Sequence, residues 1–418
     1  MSLYLGIDFG TSGVRAAIID SGANIKAEAR RSFEVSEPWK RANYWRQVLF
    51  GLLGEIPQQL RQEINSITIN GTSGTVLLCD RNGNPVDEPL MYNDNRSASV
   101  LEILKKFAPA KHTVLSATSS LAKLLWMSQL PSFSQAKYFL HQADWLGFLL
   151  HGQLGISDYH NALKLGYDVE AFEYPDWLQS LQIPIQLPQI CAPSTPISQI
   201  RSELAFEYGL SPNCLICAGT TDSIAAFIAS GANSPGEAVT SLGSTLAVKL
   251  LSRNRIEDAK YGIYSHRLGD LWLAGGASNT GGAVLKEFFT VDELEILSHQ
   301  IDPTQKSGLD YYPLLKAGER FPINDPNLAP KLEPRPSDRV EFLHGLLEGI
   351  SRIEAQGYEL LQILGADRLT RVYTAGGGAA NDTWTDIRRR HLGVPMIEPK
   401  NSEAAYGSAL LAMAGSMV

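Results

Sequence analysis

The chain predicts an α/β protein built as two related halves. Three observations carry this. Strand-like runs alternate with helical stretches throughout. A strand, a turn of glycine and hydroxyl residues, and a second strand open each half. And 418 residues exceed what one hydrophobic core usually organises.

The first strand is read from "LGIDFGTSGVRAAIID", Leu5 to Asp20. Leu3, Leu5, Ile7 and Phe9 alternate with Tyr4, Gly6 and Asp8, the period of a strand. Gly10 to Gly13 suits a tight turn, and Val14 to Ile19 resumes an apolar run. The turn offers backbone N–H groups and two hydroxyls, which suit a phosphate. Asp8, just before it, could hold Mg²⁺, a hard cation that prefers oxygen ligands. An ordinary hairpin with a solvated carboxylate is the alternative.

The pattern recurs. "ITINGTSGTVLLCD", Ile67 to Asp80, reads as strand, Gly-Thr-Ser-Gly, strand; "AVTSLGSTLAVKLL", Ala238 to Leu251, as strand, Gly-Ser-Thr, strand. "RVYTAGGGAANDTWTDIRRRHLG", Arg371 to Gly393, gives a strand, a glycine triplet, and a helix capped by Asn381 or Asp382. The two similar hairpins suggest a duplicated architecture with a cleft between halves.

Leu343, Leu346, Leu347, Ile350 and Ile353 mark one face of a helix over about 340–364. Leu121 to Met127 and Asp144 to His151 also read as helices, and Glu403 to Ala414 as a small-residue helix suited to close packing. Five prolines between Pro322 and Pro336 predict an extended surface loop. "ASGANSPGEA", Ala229 to Ala238, has the composition of a hinge.

"CAGTTDSIAAFIASG", Cys217 to Gly231, ends a strand at Gly219 and starts a helix after Asp222. Asp222 has three readings: a helix cap, a desolvated catalytic base, or an exposed carboxylate.

A net charge of −8 argues against a nucleic-acid binder. The basic run Arg388-Arg389-Arg390-His391 reads as a favourable charge at a helix C-terminus. No apolar stretch approaches the roughly 20 residues that span a bilayer. The N-terminal run lacks a basic region and is interrupted by Asp8, so no secretory leader is expected. Cys214 and Cys217 form a lone CxxC, half of a zinc site. Set in a strand-like run, they are read instead as buried thiols, and four cysteines in all fit a reducing cytoplasm.

Several stretches together resemble the FGGY carbohydrate kinases of the actin-like ATPase superfamily. "GIDFGTSGVRAAIID" is similar to the family's first phosphate motif and "SLGST" to its second. "YNDNR", Tyr92 to Arg96, resembles a substrate-side motif with Tyr92 in place of Trp. "SLAKLLWMSQ", Ser120 to Gln129, resembles a family signature with its Lys and Trp. "HQADWLGFLLHGQLGISDYHNA", His141 to Ala162, is similar to the Asp-Tyr-Leu segment. "GTTDS" matches the catalytic Asp motif, and "AGGGAAND" and "EAAYGSALLA" resemble the adenosine motif and closing helix. They occur in the family's order over nearly the whole chain.

The resemblance implies a two-domain actin-like (ribonuclease H-like) fold with a deep interdomain cleft. Residues 1–228 would bind sugar and carry the catalytic base, 229–401 would bind nucleotide, and 402–418 would form a helix returning to the first domain. It implies that Asp8 orients the Mg²⁺ of MgATP and that Thr11, Ser12 and Gly13 face the transferred phosphate. Gly243, Ser244 and Thr245 would grip the other phosphates. Gly376 and Gly377 would let the backbone approach the nucleotide, and Asn381 and Trp384 would line its adenine side. Asp222 would accept the proton of the sugar hydroxyl, and Ser73 and Asp94 would contact the sugar.

The short chain and "FPINDPNLAPKLEPRP" look most like the cyanobacterial and plastid xylulose-kinase-like branch, whose members phosphorylate D-ribulose. Gly71-Thr72-Ser73 departs from the family pattern of Gln after the glycine. In relatives that position faces the sugar, so the substrate is not carried over from xylulokinase itself; D-xylulose or a glycerol-like polyol is the alternative acceptor. A non-catalytic actin- or Hsp70-like ATPase is the alternative of another class, disfavoured by Asp222 and the sugar-side segments.

Overall fold

The computed structural model describes residues 2–33 and 42–417. The chain divides into two compact units, Met1–Ala229 with Glu403–Val418, and Ser230–Ser402.

The first unit contains strands β1 (Leu3–Phe9), β2 (Gly13–Asp20), β3 (Ile25–Ser32), β4 (Ile64–Gly71), β5 (Val76–Cys79), β6 (Tyr138–His141), β7 (Ile156–Asp158), β8 (Gln189–Cys191), β9 (Pro196–Gln199) and β10 (Leu215–Thr221). Its main sheet runs β3-β2-β1-β4-β10-β9. β1, β2 and β3 form an antiparallel meander, and β4 and β10 lie parallel to β1.

The two-residue period of β1 decides what covers each face. Leu3, Leu5, Ile7 and Phe9 join the core containing Trp45, Leu49 and Trp145. Tyr4 joins Ala405 and Ala409 of the helix Ala404–Gly415 on the opposite face. The small residues allow near contact of backbones: a Cβ on Gly6 would lie 2.1 Å from the Ala405 carbonyl oxygen. Ser66 Oγ donates to the Ala412 carbonyl at 2.6 Å, and Asn70 Nδ2 to Ser408 Oγ at 2.7 Å.

The second unit contains β11 (Glu237–Leu242), β12 (Leu246–Ser252), β13 (Tyr264–Leu268), β14 (Leu271–Ala277), β15 (Arg371–Ala375) and β16 (Met396–Ile397), ordered β13-β14-β12-β11-β15-β16. The series β14-β12-β11-β15-β16 has the same order and strand directions as β3-β2-β1-β4-β10. The duplication read from the two hairpins is therefore present in the topology. The helix Arg339–Ile363 is capped by Asp338, whose Oδ1 accepts from the Val340 N–H at 2.9 Å, and Leu343, Leu346, Leu347, Ile350 and Ile353 are all buried. The segment from Pro322 to Pro336 has neither helix nor strand.

Two local expectations need correction. The strands of Ile67 to Asp80 do not pair with each other: β4 joins the main sheet while β5 pairs with β6. β10 continues through Thr221 rather than ending at Gly219. The basic run does stand at a helix C-terminus, with Arg389, Arg390 and His391 in the last turn of the helix Asp382–Leu392, and its charges are also paired. Arg388 is fully buried and bidentate to Glu354 at 2.7 and 2.8 Å, and it also donates to Thr374 Oγ1. Arg390 and His391 both meet Glu348. Removing one partner of such a buried pair leaves an uncompensated charge.

All four cysteines are free thiols, and burial pushes Cys214 and Cys217 up to about 12. Among the described residues no helix is long and apolar enough to cross a membrane.

Candidate active site

Three parallel strands bring the first group of residues to one edge. Phe9, Gly71 and Thr221 are in register at the C-terminal ends of β1, β4 and β10. The segments that follow them carry Thr11 and Ser12, Thr72 and Ser73, and Asp222. Loops at the carboxyl ends of parallel strands are where α/β sheets bind ligands.

Asp8 is 3% exposed, and its Oδ1 has no hydrogen-bond partner among the described residues. Arg15, opposite it on β2, reaches Oδ2 at only 3.9 Å and is held by Glu403 Oε2 at 2.9 Å. Burial, then the nearby charge of Asp222, raise the Asp8 carboxyl to about 7, against the smaller opposing pull of Arg15. A buried carboxylate oxygen with no donor fits a cation or a substrate hydroxyl. Asp222 opens the helix Asp222–Ser230, and its Oδ1 accepts from the Ser223 N–H at 2.7 Å. Its influence on Asp8 places the two carboxylates within one electrostatic site.

The turn between β1 and β2 is closed by Gly10 N–H donating to the Gly13 carbonyl at 3.0 Å. A Cβ on Gly13 would lie 2.4 Å from the Arg31 carbonyl, so only glycine fits there. Thr11 and Ser12 stand exposed at the tip.

Ser73 lies in a turn closed by Thr75 N–H donating to the Thr72 carbonyl at 3.1 Å. Thr72 and Thr75 are buried and hydrogen-bonded, whereas Ser73 is half-buried with its hydroxyl unengaged among the described residues. Asp94 is taken up by Arg96: Nη2 donates at 2.7 Å, Nε at 3.0 Å, and the Arg96 N–H at 3.0 Å. That pairing lowers its carboxyl below the ordinary range, so it is ionised.

In the second unit the turn Gly243–Thr245 joins β11 to β12 and rests on the start of the helix Gly282–Phe288. Gly282 and Ala283 donate to the carbonyls of Gly243 and Ser244 at 2.9 and 3.0 Å. Ser241 and Ala375 are in register on parallel β11 and β15, so Gly376 and Gly377 leave the same edge. Gly376 has φ 86°, and a Cβ there would lie 2.7 Å from the Leu242 carbonyl. A Cβ on Gly377 would meet nothing within 4 Å. These segments border a cavity of about 650 Å³ whose walls include Gly243, Ser244, Gly377, Ser298, Asn381 and Trp384.

Two residues assigned to the adenine side have prior engagements. Asn381 caps the helix Asp382–Leu392: its Oδ1 accepts from the Trp384 N–H at 2.8 Å, and its Nδ2 donates to Ser298 Oγ at 2.7 Å. Trp384 is 2% exposed within the core of the second unit, and its indole N–H donates to Ser351 Oγ at 3.2 Å. It lines the cavity while leaving almost none of its surface exposed.

Sequence reasoning missed Arg15 and Glu403. Arg15 was legible in principle, because a turn over residues 10–13 sets it opposite Asp8. Glu403 was not, since only tertiary packing brings residue 403 to β1. Lys123 was quoted within a motif but given no role.

The family model for the N-terminal domain of the FGGY family of carbohydrate kinases matches residues 3–229, and that for the C-terminal domain matches 238–416. A xylulose kinase of Bacillus subtilis (strain 168) is 25% identical, covering 100% of this chain and 89% of its own length. The same fold is seen in a xyloylose kinase from Brucella ovis, with TM-score 0.87, 24% identity, and coverage of 99% of this chain and 90% of that one. It is seen too in Plasmodium falciparum glycerol kinase with ADP, with TM-score 0.84, 18% identity, and coverage of 99% and 90%. The chain belongs to the FGGY family of carbohydrate kinases: it is a two-domain, actin-like α/β enzyme that transfers phosphate from ATP to a sugar.

Proposed function

We propose that the enzyme phosphorylates a ketopentose, D-ribulose to D-ribulose 5-phosphate, with Asp222 as general base. One observation carries the catalytic reading. Asp8 keeps a buried carboxylate oxygen without a donor, in the field of Asp222, at the strand edge that also presents Thr11, Ser12 and Ser73. A fold with no ligand there would gain stability from a neutral residue.

Phosphoryl transfer needs alignment and charge neutralisation more than covalent chemistry. Asp222 would take the proton of the attacking hydroxyl. Thr11, Ser12 and Gly13 would present donors to the transferred phosphate, and Gly243, Ser244 and Thr245 to the remaining ones. The cavity beside Gly376 and Gly377 would take the nucleoside, with Trp384 and Asn381 in its wall. Asp8 would hold Mg²⁺ through its free oxygen, and the ion would neutralise phosphate charge. Four reduced thiols agree with a cytoplasmic location.

The sugar is assigned through Ser73. Its hydroxyl is uncommitted while its neighbours are locked, so it is available to read a sugar hydroxyl. D-Xylulose is the second reading, favoured by relatives that are xylulose kinases. Rates of ADP release with D-ribulose, D-xylulose, glycerol and hexoses, with ³¹P NMR of the product, test both. A D-xylulose preference would replace the first reading by the second. ADP release independent of any acceptor, with no sugar phosphate formed, would remove the kinase mechanism.

A further inference from the structure

The strongest feature outside the residues just assigned is a buried cation. Lys123, in the helix Ser120–Met127, is 0% exposed. Its Nζ donates to the Gly74 carbonyl at 2.7 Å and to the Met91 carbonyl at 2.6 Å. Among the described residues no carboxylate lies within ion-pair distance of it.

Each of those carbonyls belongs to a turn on the sugar side. Gly74, at φ 84°, sits in the turn closed by Thr75 N–H on the Thr72 carbonyl, which presents Ser73. The Met91 carbonyl also accepts from the Asp94 N–H at 2.9 Å, closing the turn that presents Asp94. A further bond, Tyr92 N–H to Thr75 Oγ1 at 2.9 Å, crosses between the turns. One ammonium thus ties both turns at fixed separation.

As packing alone this is a poor solution. Desolvation disfavours a buried ammonium, and an apolar side chain of the same length would fill the space without that penalty. Burial lowers Lys123 to about 7, with Asp94 pulling the other way and Lys164 and Arg96 adding to the fall. What an apolar residue could not supply is the pair of strong bonds to two separate turns.

We propose that Lys123 is a positioning residue for the acceptor sugar, setting the spacing between the turns that carry Ser73 and Asp94 and so the hydroxyl pattern the enzyme accepts. The inference rests on the assignment of those turns to the sugar. A site built to pair with sugar hydroxyls rejects a wrong epimer because buried polar groups are then left unpaired. Loss of rigid spacing lets either turn shift to satisfy the wrong sugar.

The test is Lys123→Met, which keeps length and volume and removes the donors, with Lys123→Arg as a second variant that keeps charge but needs more room. The wild type is first ranked against the acceptor panel, and each variant is then scored on its best and second-best sugars, whichever these are. A wild type that prefers something other than D-ribulose defeats the substrate assignment and leaves this test intact. The expected result is a sugar KM raised about ten-fold, with the ratio of kcat/KM between the two sugars falling by a similar factor. The ATP KM should stay within about two-fold. A merely structural lysine would lower the melting temperature while leaving sugar KM and the discrimination ratio unchanged, and that outcome overturns the proposal. Failure of both variants to fold would make Lys123 a folding determinant and equally overturn it.

Discussion

Asp8→Asn should make the metal-free enzyme more stable at alkaline pH, and the gain should disappear in acid. Burial and Asp222 raise the carboxyl from 3.8 to about 7 in the folded chain. Between those values the folded state binds a proton that the unfolded state has released. The stability linked to Asp8 therefore rises as pH falls from about 7 towards 4, and is lost as pH rises through 7. Between pH 8.5 and pH 5 the wild type should gain about 3 kcal/mol relative to a variant that cannot titrate. For a domain of this size that is roughly 6–12 °C in melting temperature. The assay is thermal unfolding of both proteins in a chelator, without nucleotide, across that range. Asp222, Glu403 and Arg15 are common to both proteins, so the difference curve isolates Asp8. Parallel curves would mean that Asp8 is solvated and ordinary. The argument that its free oxygen is kept for a ligand would then fail.

Three further substitutions address the rest of the site. Asp222→Ala should lose about 10² to 10⁴ in sugar phosphorylation while nucleotide affinity, read by titration, is kept; near-normal turnover would leave Asp222 as a helix-opening residue only. Ser73→Ala should lower kcat/KM for D-ribulose far more than it changes the ATP KM, and unchanged sugar kinetics would remove Ser73 from specificity. Trp384→Ala should cost about 3–5 kcal/mol because the ring is a core element. It should also raise the ATP KM several-fold through its place in the cavity wall; a stability loss with the ATP KM intact would confine Trp384 to packing.

What the sequence disclosed follows the range of the interactions involved. The hairpins β1–β2 and β11–β12 are local, set by short glycine-bearing turns, and both were readable. Their similarity suggested a duplicated architecture, and five strands of each sheet share one order. The same kind of turn after β4 misled, because Thr72–Thr75 leads into β5, which pairs with β6, some sixty residues on, rather than with β4. Nothing in a four-residue turn specifies that partner. Likewise nothing local to Arg388 named Glu354 and Thr374 as its partners, and nothing local to Asn381 named Ser298.

Two buried ionisable residues of the first unit, Asp8 and Lys123, belong to one physical argument. Asp8 is desolvated where β1 meets the helix beginning at Ala404, and Lys123 where two turns converge on the helix Ser120–Met127. Each charge is desolvated in the ligand-free fold, which costs stability. The two differ in what they leave unmet. Lys123 has acceptors and is missing only a counter-charge, so its bonds constrain protein geometry. Asp8 Oδ1 has no donor among the described residues, so it is open to a bound group. One is therefore suited to shape the acceptor site and the other to bind within it, and the variants separate these effects. Lys123→Met should act on sugar discrimination with no alkaline gain in stability from Asp8, whereas Asp8→Asn should show that gain while abolishing turnover.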